Sequence, residues 1–147
     1  MRAVVTRVSS ASVEIDGKMA GRIGKGFLVL LGVRIGDTNK EAVKLASKVC
    51  GLRVFEDREG KMNLDLKAAG GSILVISQFT LYADCKSRRP GFTDAARPDV
   101  AVPLYELFIQ ECKNAGFQVE TGVFGAMMSV SSANEGPVTI ILDTEAL

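Results

Sequence analysis

The chain has 147 residues, with 18 Lys and Arg against 17 Asp and Glu, a formal net charge of +1. Hydrophobic residues make up 47% and charged residues 24%, which excludes whole-chain disorder and collagen-like structure. The length predicts a single domain over residues 1–147, and the balanced charge leaves any contact with nucleic acid to a local patch.

There is no histidine, so Ser-His-Asp catalysis, Cys-His catalysis and His-ligated zinc are excluded. Asp and Glu are scattered, and neither a metal site nor a cofactor is expected. Cys50, Cys85 and Cys112 are far apart, odd in number and form no C-x-x-C pair, which predicts reduced thiols in a cytoplasmic protein. The longest apolar run, Phe27 to Val33, falls far short of the roughly 20 residues of a membrane span. Arg7 interrupts any signal-peptide core at the start.

Ala3 to Val8 is apolar and β-branched, and Ala11, Val13 and Ile15 then alternate with polar residues as in a half-buried strand. Asp16-Gly17 predicts a tight hairpin, with a return strand from Lys18 to Ile23. Gly21 to Gly26 is glycine-rich, but it precedes a strand rather than a helix and so lacks phosphate-loop context. The run FLVLLGV reads as a strand buried on both faces. Asp37-Thr38-Asn39 opens a helix, with Thr38 and Glu41 at capping-box spacing. Its expected inner face holds Val43, Leu45, Ala46 and Val49, and Gly51 ends it. A short strand is expected at Arg53 to Phe55, and a longer one from Ser72 to Tyr82.

Residues 83–99 carry Lys86, Arg88, Arg89 and Arg97 and read as a long loop, either a solvated surface or a holder of phosphate. Pro98 suits the first turn of a second helix, with Val100, Leu104, Leu107, Phe108 and Cys112 inward and Gly116 as its stop. Val119 to Ser132 and Val138 to Asp143 are the last expected strands, and Met127-Met128 is expected to fill core. The sum is an α/β domain with about seven strands and two main helices.

Two polar clusters stand where strands end. In Ser77-Gln78-Phe79-Thr80-Leu81 the hydroxyl and amide groups either line a pocket or simply leave the core. On an extended backbone Ser77, Phe79 and Leu81 would share one face, and Gln78 and Thr80 the other. In Asn134-Glu135-Gly136-Pro137-Val138-Thr139 the Gly-Pro step is either an ordinary hairpin turn or a rigid presenter of bare carbonyls.

Taken together, SQFTL at 77–81 and NEGPVT at 134–139 resemble the two signature motifs of D-aminoacyl-tRNA deacylases. The likeness extends to Arg7 with Ala11-Ser12-Val13, to Gly26 to Gly32, to Gly60-Lys61-Met62-Asn63-Leu64, and to Arg89-Pro90-Gly91-Phe92. It implies a barrel-like β-sheet sandwich and a homodimer whose active site lies at the subunit interface. It implies hydrolysis of D-aminoacyl-tRNA at the terminal adenosine, and of glycine mischarged on tRNA-Ala. Gly136-Pro137, cis in the family, would act as chiral selector in the partner's pocket, with Arg7 orienting the loop. Ser77, Gln78, Phe79 and Thr80 would line that pocket, and Asn134, Val138, Thr139 and Phe92 would contribute to binding. Glu135 stands where the family commonly has Asp, Gly91 replaces a small polar residue, and Ser129, Ser132 and Ala133 replace bulkier or amide side chains.

Thr80 is the best hydroxyl of its motif, but no base is spaced to activate it. A second route lets the ribose 2′-hydroxyl assist, with the protein supplying position and oxyanion donors near Gln78 and Phe79. Two other readings are a non-catalytic dimeric module binding a nucleotide or aminoacyl end, and a variant deacylase for L-alanine.

Overall fold

The computed structural model describes residues 1–147. Strand β1 (Arg2–Ile15) is the spine, and both of its edges are paired. One edge carries β2 (Lys18–Ile23) against Ala11 to Ile15, and then β3 (Gly26–Gly32) against Arg2 to Val8. The hairpin expected at Asp16-Gly17 forms, with φ of 51° and 76° as a primed turn requires.

Beyond β3 the sheet continues in parallel through β6 (Ser72–Ser77) to β7 (Val119–Thr121). The Gly21 backbone of β2 lies so near β7 that a Cβ there would come within 2.9 Å of the Thr121 carbonyl oxygen. The sheet thus curls almost into a barrel. The other edge of β1 is taken by β8 (Ser129–Asp143). A small two-stranded sheet, β4 (Phe55–Glu56) with β5 (Met62–Leu64), stands apart. β5 was not foreseen.

Helix α1 (Asn39–Cys50) has the expected capping box at Thr38 and Glu41 and ends at Gly51. The Thr38 hydroxyl and the Thr38 backbone N–H both donate to the Glu41 carboxylate, at 2.6 and 2.8 Å, and hold that carboxyl below its ordinary value. Helix α2 (Pro98–Asn114) begins with Pro98 at its first turn, and Gly116 follows its end at φ 95°. Both helices pack on one face of the sheet, over Phe27, Val29, Ile73 and Val75. Burying side chains such as Phe27, Leu45 and Phe108 contributes roughly 1.5–3 kcal/mol each.

The inner faces differ from expectation at their edges. Val43 and Val100 are exposed, while Ala42, Ala101, Tyr105 and Ile109 are buried. The buried stripe of α1 is Ala42, Leu45, Ala46 and Val49, and that of α2 is Ala101, Leu104, Tyr105, Phe108, Ile109 and Cys112, so each stripe is turned slightly from the one the largest apolar residues alone suggest. Cys50 and Cys112, distant in sequence, meet where α1 packs on α2, and contact with Cys50 together with burial pushes the Cys112 thiol up. No helix is long and apolar enough to cross a membrane.

Two larger corrections concern the motif segments. The strand expected to reach Tyr82 ends at Ser77, and Phe79–Tyr82 form a 3₁₀ turn. The residues at 119–132 are not one strand but β7, a loop and the start of β8. β8 in turn runs through 134–137 without a hairpin.

Candidate active site

β6 delivers the first motif. Its hydrophobic run is held between β3 and β7, so the chain emerges at Ser77 beside Leu31. The Gln78 backbone N–H still donates to the Leu31 carbonyl at 2.8 Å, and the chain then coils: Leu81 N–H donates to Gln78 and Ala83 N–H to Thr80. The alternation of faces expected from an extended backbone therefore does not hold. The turn leaves the Phe79 and Thr80 backbone N–H groups without backbone acceptors, as helix starts do. Gly32 admits the turn, because a Cβ there would lie 3.1 Å from both the Gln78 carbonyl oxygen and Leu81 Cβ.

Arg2 closes the other end of the turn. Its Nη1 donates to the Leu81 carbonyl at 2.7 Å, its Nε donates to Asp143 at 2.8 Å, and its guanidinium lies 4.7 Å from the Tyr82 ring centre. Burial alone would raise the Asp143 carboxyl, but the Glu145 backbone N–H and Arg2 hold it below its ordinary value. Burial, with Asp143 nearby, pushes the Tyr82 hydroxyl up. Neither Arg2 nor Asp143 was singled out in the sequence; only their meeting across the ends of the chain marks them.

Ser77, Gln78 and Phe79 line a cavity of about 520 Å³ whose other walls include Ala96, Tyr105, Phe124 and Met127. Twelve of its 15 lining residues are hydrophobic. A mostly apolar cavity with a few polar groups at one side is the usual form of a small-molecule site. Tyr105 is fixed by donating its hydroxyl to the Val75 carbonyl at 3.0 Å, and burial pushes that hydroxyl up to about 12. Thr80 stands outside this lining and accepts a hydrogen bond from the Gln78 side-chain amide. Phe92 is likewise outside it, and packs edge-on against Phe79 with ring centres 5.0 Å apart. Met127, expected in the core, is 91% exposed at the cavity wall. Met128 is half-buried against Ile76 and Gly122.

The second motif forms a bulge. β1 and β8 pair at Thr6 with Thr139 and at Val8 with Asn134, so the four residues Glu135 to Val138 stand opposite Arg7 alone. Excess chain on one side of a ladder must leave the sheet. Arg7 fills the opening. It is only 6% exposed, its Nη1 donates to the Val54 carbonyl at 2.7 Å, and its Nε donates to the Glu135 carbonyl at 3.2 Å. The Glu135 carboxylate is 3.7 Å away, and the Phe55 ring centre 5.9 Å.

Gly136 has φ 119°, and a Cβ on it would press on Val138 at 2.8 Å and on Arg7 Nη2 at 3.1 Å. The Gly136-Pro137 bond is cis, as in the resembling family. Val138 is half-buried against the core, Thr139 is exposed on the ladder, and the Asn134 side-chain oxygen accepts from Ser132 Oγ at 2.7 Å.

Within the chain the motifs do not share a cavity. Gly136 and Arg7 border a separate hollow of about 590 Å³ with Lys25, Phe55 and Leu64. Residues Ser129 to Pro137 are exposed throughout, although they lie in a strand. No three Cys, Asp or Glu side chains converge in a way that could hold a metal ion.

Comparison with known proteins agrees with these motifs. Residues 4–143 match the D-Tyr-tRNA(Tyr) deacylase family. A D-aminoacyl-tRNA deacylase of Desulfatibacillum aliphaticivorans is 57% identical, over 99% of this chain and 100% of its own. One from Thermosipho africanus is 54% identical, over 99% and 98%. A solved structure described as a c-Myc DNA unwinding element binding protein superposes with a TM-score of 0.93 at 38% identity, covering 98% of this chain and 99% of its own. The chain therefore belongs to the D-Tyr-tRNA(Tyr) deacylase family, whose activity is hydrolysis of the ester that joins a D-amino acid to tRNA.

Proposed function

We propose that the chain works as a homodimer, with each site built from the 77–80 motif of one subunit and the Gly136-Pro137 bulge of the other. One observation carries this reading: in a single chain the two motifs border different hollows, and the bulge projects from a strand segment that is exposed throughout. A second copy would bring a projecting loop to a waiting cavity.

In that arrangement the terminal adenosine enters the apolar cavity beside Phe79, and Phe92 supports the Phe79 ring. The Gly136 and Pro137 carbonyls accept hydrogen bonds from the substrate α-ammonium. With ammonium and ester both held, one direction remains for the side chain. A D side chain or the hydrogen of glycine fits, so glycine mischarged on tRNA-Ala is also a substrate. An L side chain meets backbone that Arg7 holds in place, and rejection by a fixed obstacle discriminates strongly. Asn134, Val138 and Thr139 hold the two ends of the bulge.

The cleavage step needs position and charge stabilisation. The ribose 2′-hydroxyl orients the attacking water. The water oxygen bonds to the ester carbon, the bond from that carbon to the ribose 3′-oxygen breaks, and the water's proton passes by way of the 2′-hydroxyl to the leaving 3′-oxygen. Meanwhile the carbonyl oxygen turns its developing charge towards the free Phe79 and Thr80 backbone N–H groups. Ser77 and Gln78 shape the approach, and Gln78 holds the Thr80 hydroxyl. Thr80 as the nucleophile would need a base, and the only side chain bonded to it is the Gln78 amide.

Purified protein is given D-tyrosyl-tRNA and L-tyrosyl-tRNA, and amino-acid release is followed. Rapid loss of the D-ester alone is expected; equal loss of both would refute the selector. Complementation tests the shared site. Gln78→Ala/Thr80→Ala and Gly136→Ala subunits, each impaired alone, should regain about a quarter of wild-type activity when mixed, because half the dimers are mixed and one of their two sites is intact. No recovery would place both motifs in a site within one subunit.

A further inference from the structure

The loop between the 3₁₀ turn and α2 has structure of its own. Asp84 and Gly91 exchange two backbone hydrogen bonds, at 2.8 and 2.9 Å, which close the loop at its base. Inside it, the Lys86 backbone N–H donates to Asp84 Oδ1 at 2.9 Å and Ser87 Oγ donates to the Arg89 carbonyl at 2.6 Å. The tip is therefore held, and residues 84–91 are exposed throughout.

The tip carries Lys86, Arg88 and Arg89 against one carboxylate, Asp84, which lies 3.7 Å from Lys86. Arg88 and Arg89 form no ion pair, and their guanidinium groups donate no hydrogen bond within the chain. The nearby acids are engaged elsewhere: Asp94 faces Arg34 at 3.9 Å, and Asp99 faces Arg97 at 4.0 Å. In a chain of net charge +1 this is a concentrated, unspent positive patch.

Its location is specific. The loop base follows directly on the 77–82 segment, and Phe92, next to Gly91, packs on Phe79 of the cavity wall. Three or four residues reach at most about 3.3–3.6 Å each, so the tip lies within roughly 14 Å of that base. A terminal adenosine in the cavity would have its 5′ phosphate, and those of the preceding nucleotides, at the cavity mouth. Planar guanidinium groups bind phosphate oxygens in pairs, and such contacts position a nucleic acid without reading its sequence.

We propose that Arg88 and Arg89, with Lys86, grip the sugar–phosphate backbone of the tRNA acceptor end, so that the loop holds the tRNA while the cavity holds its terminal adenosine. The proposal rests on the deacylase reading of that cavity and extends it to the part of the substrate that does not react.

The test compares wild type with Arg88→Gln/Arg89→Gln, and with Lys48→Gln/Lys113→Gln as a control that removes the same charge from the exposed helix surfaces. Binding of uncharged tRNA is measured by fluorescence anisotropy across a salt series. Hydrolysis is measured on D-tyrosyl-tRNA and on 2′(3′)-O-D-tyrosyl-adenosine, which has no phosphate. The loop variant should bind tRNA about tenfold more weakly. Its log–log salt slope should fall by about 1.4, two contacts at roughly 0.7 each for a single strand. Its KM for D-tyrosyl-tRNA should rise with kcat kept, and hydrolysis of the adenosine ester should be unchanged. An unchanged slope, an equal fall in the control, or equal loss on both esters would overturn the assignment. Wild type cleaving neither ester while the loop variant still loses tRNA affinity would sink the deacylase reading and leave the loop's role standing.

Discussion

Arg7 is a charge taken almost wholly out of water, and its partners are backbone carbonyls and a carboxylate rather than solvent. A planar fork can reach Val54 and Glu135 at once; a lysine ammonium cannot keep that geometry. Arg7→Lys should therefore fold but hold the bulge loosely. We expect kcat/KM on D-tyrosyl-tRNA to fall on the order of 10–100-fold, equivalent to about 1.4–2.8 kcal/mol, with L-tyrosyl-tRNA gaining relative to it. A change in stability with the D/L ratio intact would reduce Arg7 to a structural role. Thr80 invites the opposite expectation. If the 2′-hydroxyl assists, Thr80→Ala should retain kcat within about tenfold, whereas loss of a covalent nucleophile would cost several orders of magnitude. Single-turnover measurement on D-tyrosyl-tRNA separates the two.

At the scale of elements, the site depends on how two segments stop being sheet. β6 ends because the 3₁₀ turn coils against Gly32 and is tied at its far end by Arg2. Gly32→Ala would push a methyl group against Gln78 and Leu81. The expected cost is about 1–3 kcal/mol of stability, as for overpacking elsewhere, with a fall in kcat. Thermal melts and kinetics read both, and an unaltered kcat would mean that the turn tolerates displacement. β8 bulges out of its ladder through a surplus of residues over Arg7 and rejoins it at Thr139. The strand propensities around both motifs were readable. The coil at 79–82 and the bulge at 135–138 were not, because a turn that follows a strand and a bulge inside one share the same residue types. Which one forms depends on what the neighbouring strand offers opposite.

On the scale of the whole molecule, Arg2 joins the start of β1, the end of β8 and the end of the 3₁₀ turn. Asp143 is held below its ordinary value, and so is Glu41. A carboxyl with a lowered folded-state value takes up its proton later than it does in the unfolded chain. It therefore contributes stability above the ordinary carboxylate range, and that contribution is lost as pH falls through the folded-state value. Thermal melts should show Tm falling in acid below about pH 4. Asp143→Asn should lower stability at pH 7 by about 1 kcal/mol and make the acid fall shallower. A parallel shift at every pH would exclude a titrating role for Asp143.

The amino-acid order by itself determined the class of strands and helices, the primed hairpin at Asp16-Gly17, the caps of α1, and the two motifs with the family they indicate. These are local: each rests on a residue's own φ preference, its period, or a side chain bonding a few positions away. Only the tertiary structure decided that Arg7 is buried under the bulge, that Arg2 and Asp143 brace the motif turn, and that Met127 is exposed while Ala42 and Ala101 are buried. It also decided that the two motifs border separate hollows within one chain. Each of these turns on groups distant in the chain meeting across a ladder or a packed face, where desolvation and the surplus of one strand over its partner outweigh local preference.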